Sequence, residues 1–197
     1  MKHGDSGLDG AGPMTRDEAL ELFESHVKAD NLRKHCLATE AVMRELALHL
    51  NQDSELWANI GLLHDLDFEY TRENPGAHGL KTVELLAPYG LPQEALDAVL
   101  RHNAEALDLK RETVLDYALT CAETITGLIV AAALVHPDKQ IRSLNPASVR
   151  KRMKSKDFAR SVNRDHVALC ERINIPLMDF VELSIKAMGS ISDQLGL

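Results

Sequence analysis

The sequence predicts an all-α protein, and three observations carry that prediction. Apolar residues recur mostly at threes and fours, as in Leu37, Val42, Met43, Leu46 and Leu50. Helix-starting and helix-stopping residues punctuate the chain. No alternating apolar–polar stretch of useful length and no internal repeat is present.

Each element has its own signal. Residues 1–13 read as a loose tail. Thr15-Arg16-Asp17-Glu18 is a capping box, with Ala19, Leu20, Leu22 and Phe23 behind it. Asn31 starts a second helix running to about Leu50, and Asp53 or Ser54 caps a third through Trp57 to His64. Asn74-Pro75-Gly76 makes a loop of Asp67 to Gly76. A helix follows from about Ala77 to Ala87 and is broken by Pro88-Tyr89-Gly90. Pro92 sits at the first turn of the next, which ends near His102. A long helix spans about Arg111 to Val135 and stops at His136-Pro137-Asp138. Asn145-Pro146 begins a short helix, a basic helix or pair continues to about Arg172, and Pro176 starts a last helix toward Leu195.

Bulk properties narrow the function classes. A chain of 197 residues is most simply one domain, here 14–197, with room for a real core. Aromatics are 4%, so Leu, Ala, Val and Ile must fill that core. A net charge of -8 argues against a nonspecific nucleic-acid coat. Cys36, Cys121 and Cys170 are an odd, widely spaced set with no CxxC pair, which predicts a reduced, cytoplasmic protein without a disulfide framework. The apolar run Leu128 to Val135 is shorter than the roughly 20 residues of a bilayer span, so no membrane partner is expected. It reads as core or as part of a homodimer face. The N-terminus lacks the apolar stretch of a secretory signal.

The most informative feature is His64-Asp65, placed after the apolar run Ile60 to Leu63. Two metal-capable groups there stand at the end of a buried segment. His35, His78, His102 and Glu123 accompany them, all in helical segments. Imidazole and carboxylate without thiolate suit divalent Fe, Mn, Co, Ni or Zn, toward the less soft end of that series. Six ligands are too many for one tetrahedral ion and suit two ions sharing a carboxylate, which could clamp a phosphoryl group. Asp116 rivals Glu123, being seven residues back on nearly the same face, but it lies roughly 10 Å away along the helix. His26, His49, His136 and His166 have no place in the pattern and read as structural or exposed. Asp67 and Glu69 read as a solvated loop.

The order His, His-Asp, His, His, acid over about residues 26–130 resembles the HD superfamily of metal-dependent phosphohydrolases. Ala77-His78-Gly79-Leu80 through Val99-Leu100-Arg101-His102-Asn103 is similar to its extended form with two additional histidines. That form occurs in the bacterial enzymes that split diadenosine tetraphosphate symmetrically and in the HD-GYP cyclic-di-GMP hydrolases, whose Gly-Tyr-Pro signature is missing here. Ala118 to Ile129, with Val162-Asn163-Arg164 downstream, resembles a bacterial group of predicted HD hydrolases. Two departures stand out. Glu123 occupies the place usually held by Asp, and Leu66-Asp67-Phe68-Glu69 replaces a Gly-Lys that many relatives carry after the His-Asp pair.

The resemblance implies an HD-domain helical bundle with a C-terminal helical extension at about 137–197. It implies two divalent ions held by His35, His64, Asp65, His78, His102 and Glu123, with Asp65 bridging and a metal-bound hydroxide as nucleophile. The implied reaction is hydrolysis of a phosphate ester or anhydride of a nucleotide or related small molecule. An HD-type di-iron oxygenase and a non-catalytic nucleotide-binding module are the alternatives. Arg150-Lys151-Arg152-Met153-Lys154-Ser155-Lys156, extended by Arg160 and Arg164, is unusual in an acidic chain. It reads either as a solvated helix face or as a phosphate-binding wall, in which Lys151, Lys154 and Arg164 would meet the substrate.

Overall fold

The computed structural model of the chain describes residues 13–155 and 157–197. The tail assigned to 1–13 lies outside these, apart from Pro13, as does Lys156 of the basic stretch. Every regular element among the described residues is helical, so the all-α class holds.

Helix α1 (Arg16–His26) opens on the expected capping box, in which the Thr15 N–H donates to Glu18 Oε2 at 2.8 Å and the Glu18 N–H to Thr15 Oγ1 at 3.3 Å. Helix α2 spans Asp30–His49, starting one residue before Asn31. Its cap comes from far along the chain: Glu69 Oε2 accepts the N–H groups of Lys28 (2.7 Å) and Ala29 (3.3 Å). Helix α3 (Ser54–Leu63) is capped by Asp53, whose carboxylate accepts from the Glu55 and Leu56 N–H groups.

The expected loop of Asp67 to Gly76 is more ordered than its turn residues imply. The Asp67 carbonyl accepts the N–H groups of Tyr70 and Thr71, which closes one helical turn, α4 (Phe68–Thr71). A 3₁₀ turn at Pro75–Ala77 follows. Helix α5 (Leu80–Leu86) begins later than Ala77 because Gly79 sits at φ +93°, a conformation that breaks helical continuity. A Cβ at Gly79 would also stand 3.2 Å from the Val99 carbonyl.

Helix α6 (Gln93–His102) follows Pro92, and a short α7 (Ala104–Leu107) follows it without a sequence signal that we recognise. Helix α8 (Val114–Leu134) starts three residues after Arg111, because Thr113 and Asp116 form a second capping box. Helix α9 (Pro146–Met153) is capped by Asn145, and α10 (Arg164–Val167) by Asn163. A 3₁₀ segment at Ala168–Ile173 leads to α11 (Leu177–Ser190) and α12 (Ser192–Leu195).

Helix α8 is the axis of the core. Helices α2, α3, α6, α9, α10 and α11 all pack against it. By length and composition it could cross a membrane, with a mean hydropathy of 1.6, yet 67% of that window is buried inside the fold. Leu119, Ile125, Leu128 and Ile129 supply the burial, each stabilising the core by about 1.5–3 kcal/mol. Its far end is less covered, with Leu134 and Val135 more than half exposed. Helix α3 lies close on α2 because position 61 is glycine. A Cβ there would come within 2.9 Å of the Thr39 carbonyl and 3.1 Å of Glu40 Cα. That close approach brings the end of α3, with His64 and Asp65, level with His35 on α2.

Candidate metal centre

His35, His64, His78 and His102 arrive from four separate segments and turn their Nε2 atoms toward one buried carboxylate, that of Asp65. His64 Nε2 lies 3.5 Å, His78 Nε2 3.2 Å and His102 Nε2 3.5 Å from Asp65 Oδ1, and His35 Nε2 lies 3.7 Å from Oδ2. The donors fall into two triads, His35–His64–Asp65 and Asp65–His78–His102, with mutual separations within 4.8 Å in each. Asp65 belongs to both. His64 is the C-cap of α3, so the chain leaves the helix there, which is how adjacent residues come to serve one site.

The opposite ring nitrogens are all engaged. His64 Nδ1 donates to the Gly61 carbonyl at 2.8 Å, and His102 Nδ1 to the Val99 carbonyl. His78 Nδ1 donates to Asp67 Oδ1 at 2.7 Å. His35 Nδ1 donates to Thr126 Oγ1 at 3.0 Å, a hydroxyl whose own proton goes to the Glu123 carbonyl at 2.7 Å. A neutral imidazole that donates from Nδ1 keeps a lone pair on Nε2. The rings therefore present lone pairs to a common space beside an anion. His78 and His102 even face each other Nε2 to Nε2 at 2.9 Å, and His35 and His64 at 3.3 Å. Such facing acceptors need a proton or a cation between them.

The local electrostatics agree with a cation site. Burial pushes His64 down to about 3, so it is a neutral ligand-type imidazole. Burial opposes ionisation of Asp65 too, but His64, His102 and His78 overcome it and hold the carboxyl well below its usual range. Burial also disfavours the cationic form of His78, yet its bonds to Asp65 and Asp67 outweigh that and raise it to about 9. An ion bound there would displace that proton. Cys36, next to His35, is buried, and burial together with Asp65 keeps it a thiol, so no thiolate enters the donor set. The residues thus fit a divalent ion of the nitrogen- and oxygen-preferring kind.

Asp67 corrects the sequence reading. It is fully buried, not part of a solvated loop, and besides His78 it accepts the N–H groups of Gly79 (2.8 Å) and Thr82 (3.1 Å). It fixes the His78 ring as outer carboxylates fix metal-ligating histidines. Glu69 is likewise no free loop residue, since it caps α2. Asp116 is engaged elsewhere, with Arg101 at 3.0 Å and the capping box of α8.

Above the donors opens a cavity of about 640 Å³, whose walls include His35, Asp65, His78, His102 and Glu123. Glu123 stands on the wall with its carboxylate accepting from the Thr124 hydroxyl, outside the two tight triads. Burial raises its pKa, with His35 working in the opposite direction. His166, expected to be structural or exposed, also lines the cavity and meets Glu105 at 3.1 Å.

The basic stretch does not take the expected place. Lys151, Lys154 and Arg164 are not among the lining residues. The Arg164 guanidinium is consumed by main-chain carbonyls, among them Ser155 (3.3 Å), Phe158 and Ala159 (2.6 Å). It ties down the turn after α9, and Lys151 and Lys154 point to solvent. The cation that does line the cavity is Arg72, which no composition or spacing signal marks.

The HD domain family model matches residues 32–133, slightly over half of the chain, and the chain belongs to that family of, in general, metal-dependent hydrolases. Among curated proteins it is similar to ribonuclease Y of three bacteria. Identity is 25% over 114 residues in Acholeplasma laidlawii, covering 58% of this chain and 21% of that protein. It is 33% over 81 residues in Thermus thermophilus (39% and 14%) and 29% over 97 residues in Desulfotalea psychrophila (49% and 18%). The chain therefore spans only about a fifth or less of these relatives. No solved structure matches significantly.

Proposed function

We propose that this protein hydrolyses a phosphate ester or anhydride of a nucleotide or related small molecule, using two divalent ions. The observation that carries the reading is the sharing of Asp65 between two His-containing triads. His35 and His64 would hold one ion, His78 and His102 the other, with Asp65 between them and Glu123 as a further oxygen ligand from the wall. Bound ions would supply Lewis acidity toward a phosphoryl oxygen and acidify a water. The chain's own contribution is orientation: the Gly61 and Val99 carbonyls, Thr126 and Asp67 hold four rings in one tautomer. No Ser or Cys nucleophile is required.

The test is elemental analysis of anaerobically purified protein beside Asp65→Ala, followed by assay of phosphate release. About two ions per chain, lost in the variant, with oxygen-independent hydrolysis, is the expected result. Iron with turnover only in oxygen would support a di-iron oxygenase instead. No metal after reconstitution, with nucleotide still bound, would support a non-catalytic module. The similarity to ribonuclease Y favours a second reading, cleavage of RNA phosphodiesters, which a short RNA in the same assay tests.

A further inference from the structure

Helix α4 projects two unexplained side chains into the mouth of the metal cavity. Phe68 and Arg72 both line it, and the backbone stays helical through Arg72 (φ -49°, ψ -40°). Residues four apart on a helix lie on one face, so the two side chains are neighbours. Phe68 is 37% exposed, a large apolar ring left facing open space beside a buried polar site. Its ring meets that of His78 edge-on, with centroids 5.5 Å apart, so it stands beside one of the donors. Leu32 and Ala29 continue the apolar wall at the start of α2.

Arg72 enters no ion pair among the described residues. The neighbouring carboxylate that could have claimed it, Glu69, is committed to the N–H groups of Lys28 and Ala29. Arg72 is also the only Arg or Lys among the described residues lining the cavity, whereas Asp30, Glu69, Glu105 and Glu123 line it as well. A ligand entering here meets the metal donors, one guanidinium, one aromatic face and an otherwise acidic rim. Beyond the ions and Arg72, a longer polyphosphate tail would find carboxylates in place of further cations. A single phosphate attached to a planar ring would find a partner for each part: Arg72 for the anion and Phe68 for the ring face.

We infer that Phe68 and Arg72 form the substrate-reading pair of this site, selecting a nucleoside monophosphate-like ester over polyphosphates. This rests on the phosphohydrolase reading above. Both residues would contact the substrate, and neither is a metal donor.

The test is calorimetric binding of inorganic phosphate, adenosine monophosphate and adenosine triphosphate to metal-loaded protein, with metal content measured for every variant. The wild type should bind the monophosphate more tightly than either phosphate or the triphosphate. Phe68→Ala should weaken the monophosphate by about tenfold or more, phosphate by much less. Phe68→Trp should restore the preference and Phe68→Leu should not, which separates a stacking face from apolar bulk. Arg72→Ala should weaken phosphate and monophosphate alike. An unchanged monophosphate-to-phosphate ratio in Phe68→Ala, or a wild type favouring the triphosphate, overturns the inference while leaving the hydrolase reading standing. Metal-loaded wild type that binds no phosphate compound at all overturns both.

Discussion

Asp67 Oδ1 accepts the Nδ1 proton of His78 at 2.7 Å, and Asp67 is wholly buried while doing so. Its other oxygen takes two main-chain N–H groups, so the carboxylate cannot rotate away. Asp67→Asn keeps one acceptor oxygen where two are used, so either the His78 Nδ1–H or the Gly79 and Thr82 N–H groups lose their partner, and the neutral amide lowers the basicity of the ring. The variant should fold and lose metal affinity by about 10–100-fold. A metal titration showing wild-type affinity would remove Asp67 from the centre.

Gly61 sets the distance between α2 and α3. Gly61→Ala must push the helices apart, since the nearest obstacle is main chain and cannot swing aside. A loss of about 1–3 kcal/mol in stability is expected. His64 moves with α3 and His35 stays with α2, so metal retention should fall as well. Thermal melts and metal content on the same preparation decide it; a stable variant that keeps its ions refutes the argument.

Arg164 fastens the turn after α9 through main-chain carbonyls. Arg164→Ala leaves several main-chain carbonyls short of a donor and should cost about 1–3 kcal/mol. Lys151→Ala and Lys154→Ala should change neither stability nor phosphate binding. If either lysine variant weakens phosphate binding to metal-loaded protein, the basic stretch reaches the site after all.

Glu105 is one contributor to the acid response. Arg111, bonded to it at 2.6 Å, holds the Glu105 carboxyl at about 2, below the ordinary 4.5. A depressed folded value means that the ion pair stabilises the fold above about pH 4.5, and that this is lost as pH falls toward 2. The Glu105 side chain is 61% exposed, so solvent limits the contribution to below about 1 kcal/mol. Glu105→Gln should flatten the acid limb of a stability–pH curve across that window, and an unaltered limb would count against the pair.

The sequence carried the fold class well, because helix caps are local chemistry: Thr15, Asp53 and Asn145 each do what their residue type implies. It also carried the histidines, since few other arrangements explain an ordered His, His-Asp, His, His series. What it missed depends on contacts across the chain. Asp67 looks like a loop residue until Gly79 and Thr82 fold back over it. Glu69 caps a helix that begins 39 residues earlier, and no local pattern encodes that. Arg164 fits a substrate-binding cation by type, and only the path of the turn at 153–162 shows that its donors are spent.

The anchoring of the rings divides evenly in one respect. Each triad holds one histidine steered by a main-chain carbonyl three residues upstream, His64 by Gly61 and His102 by Val99. Each also holds one steered by a distant side chain, His35 by Thr126 and His78 by Asp67. A carbonyl survives any side-chain replacement. Loss of a single outer side chain can therefore loosen each half of the centre, while the other histidine of the half keeps its carbonyl partner. A saturation scan should show this as chemical sensitivity at positions 67 and 126, separate from the steric sensitivity of position 61, with replacements at position 99 limited only by packing.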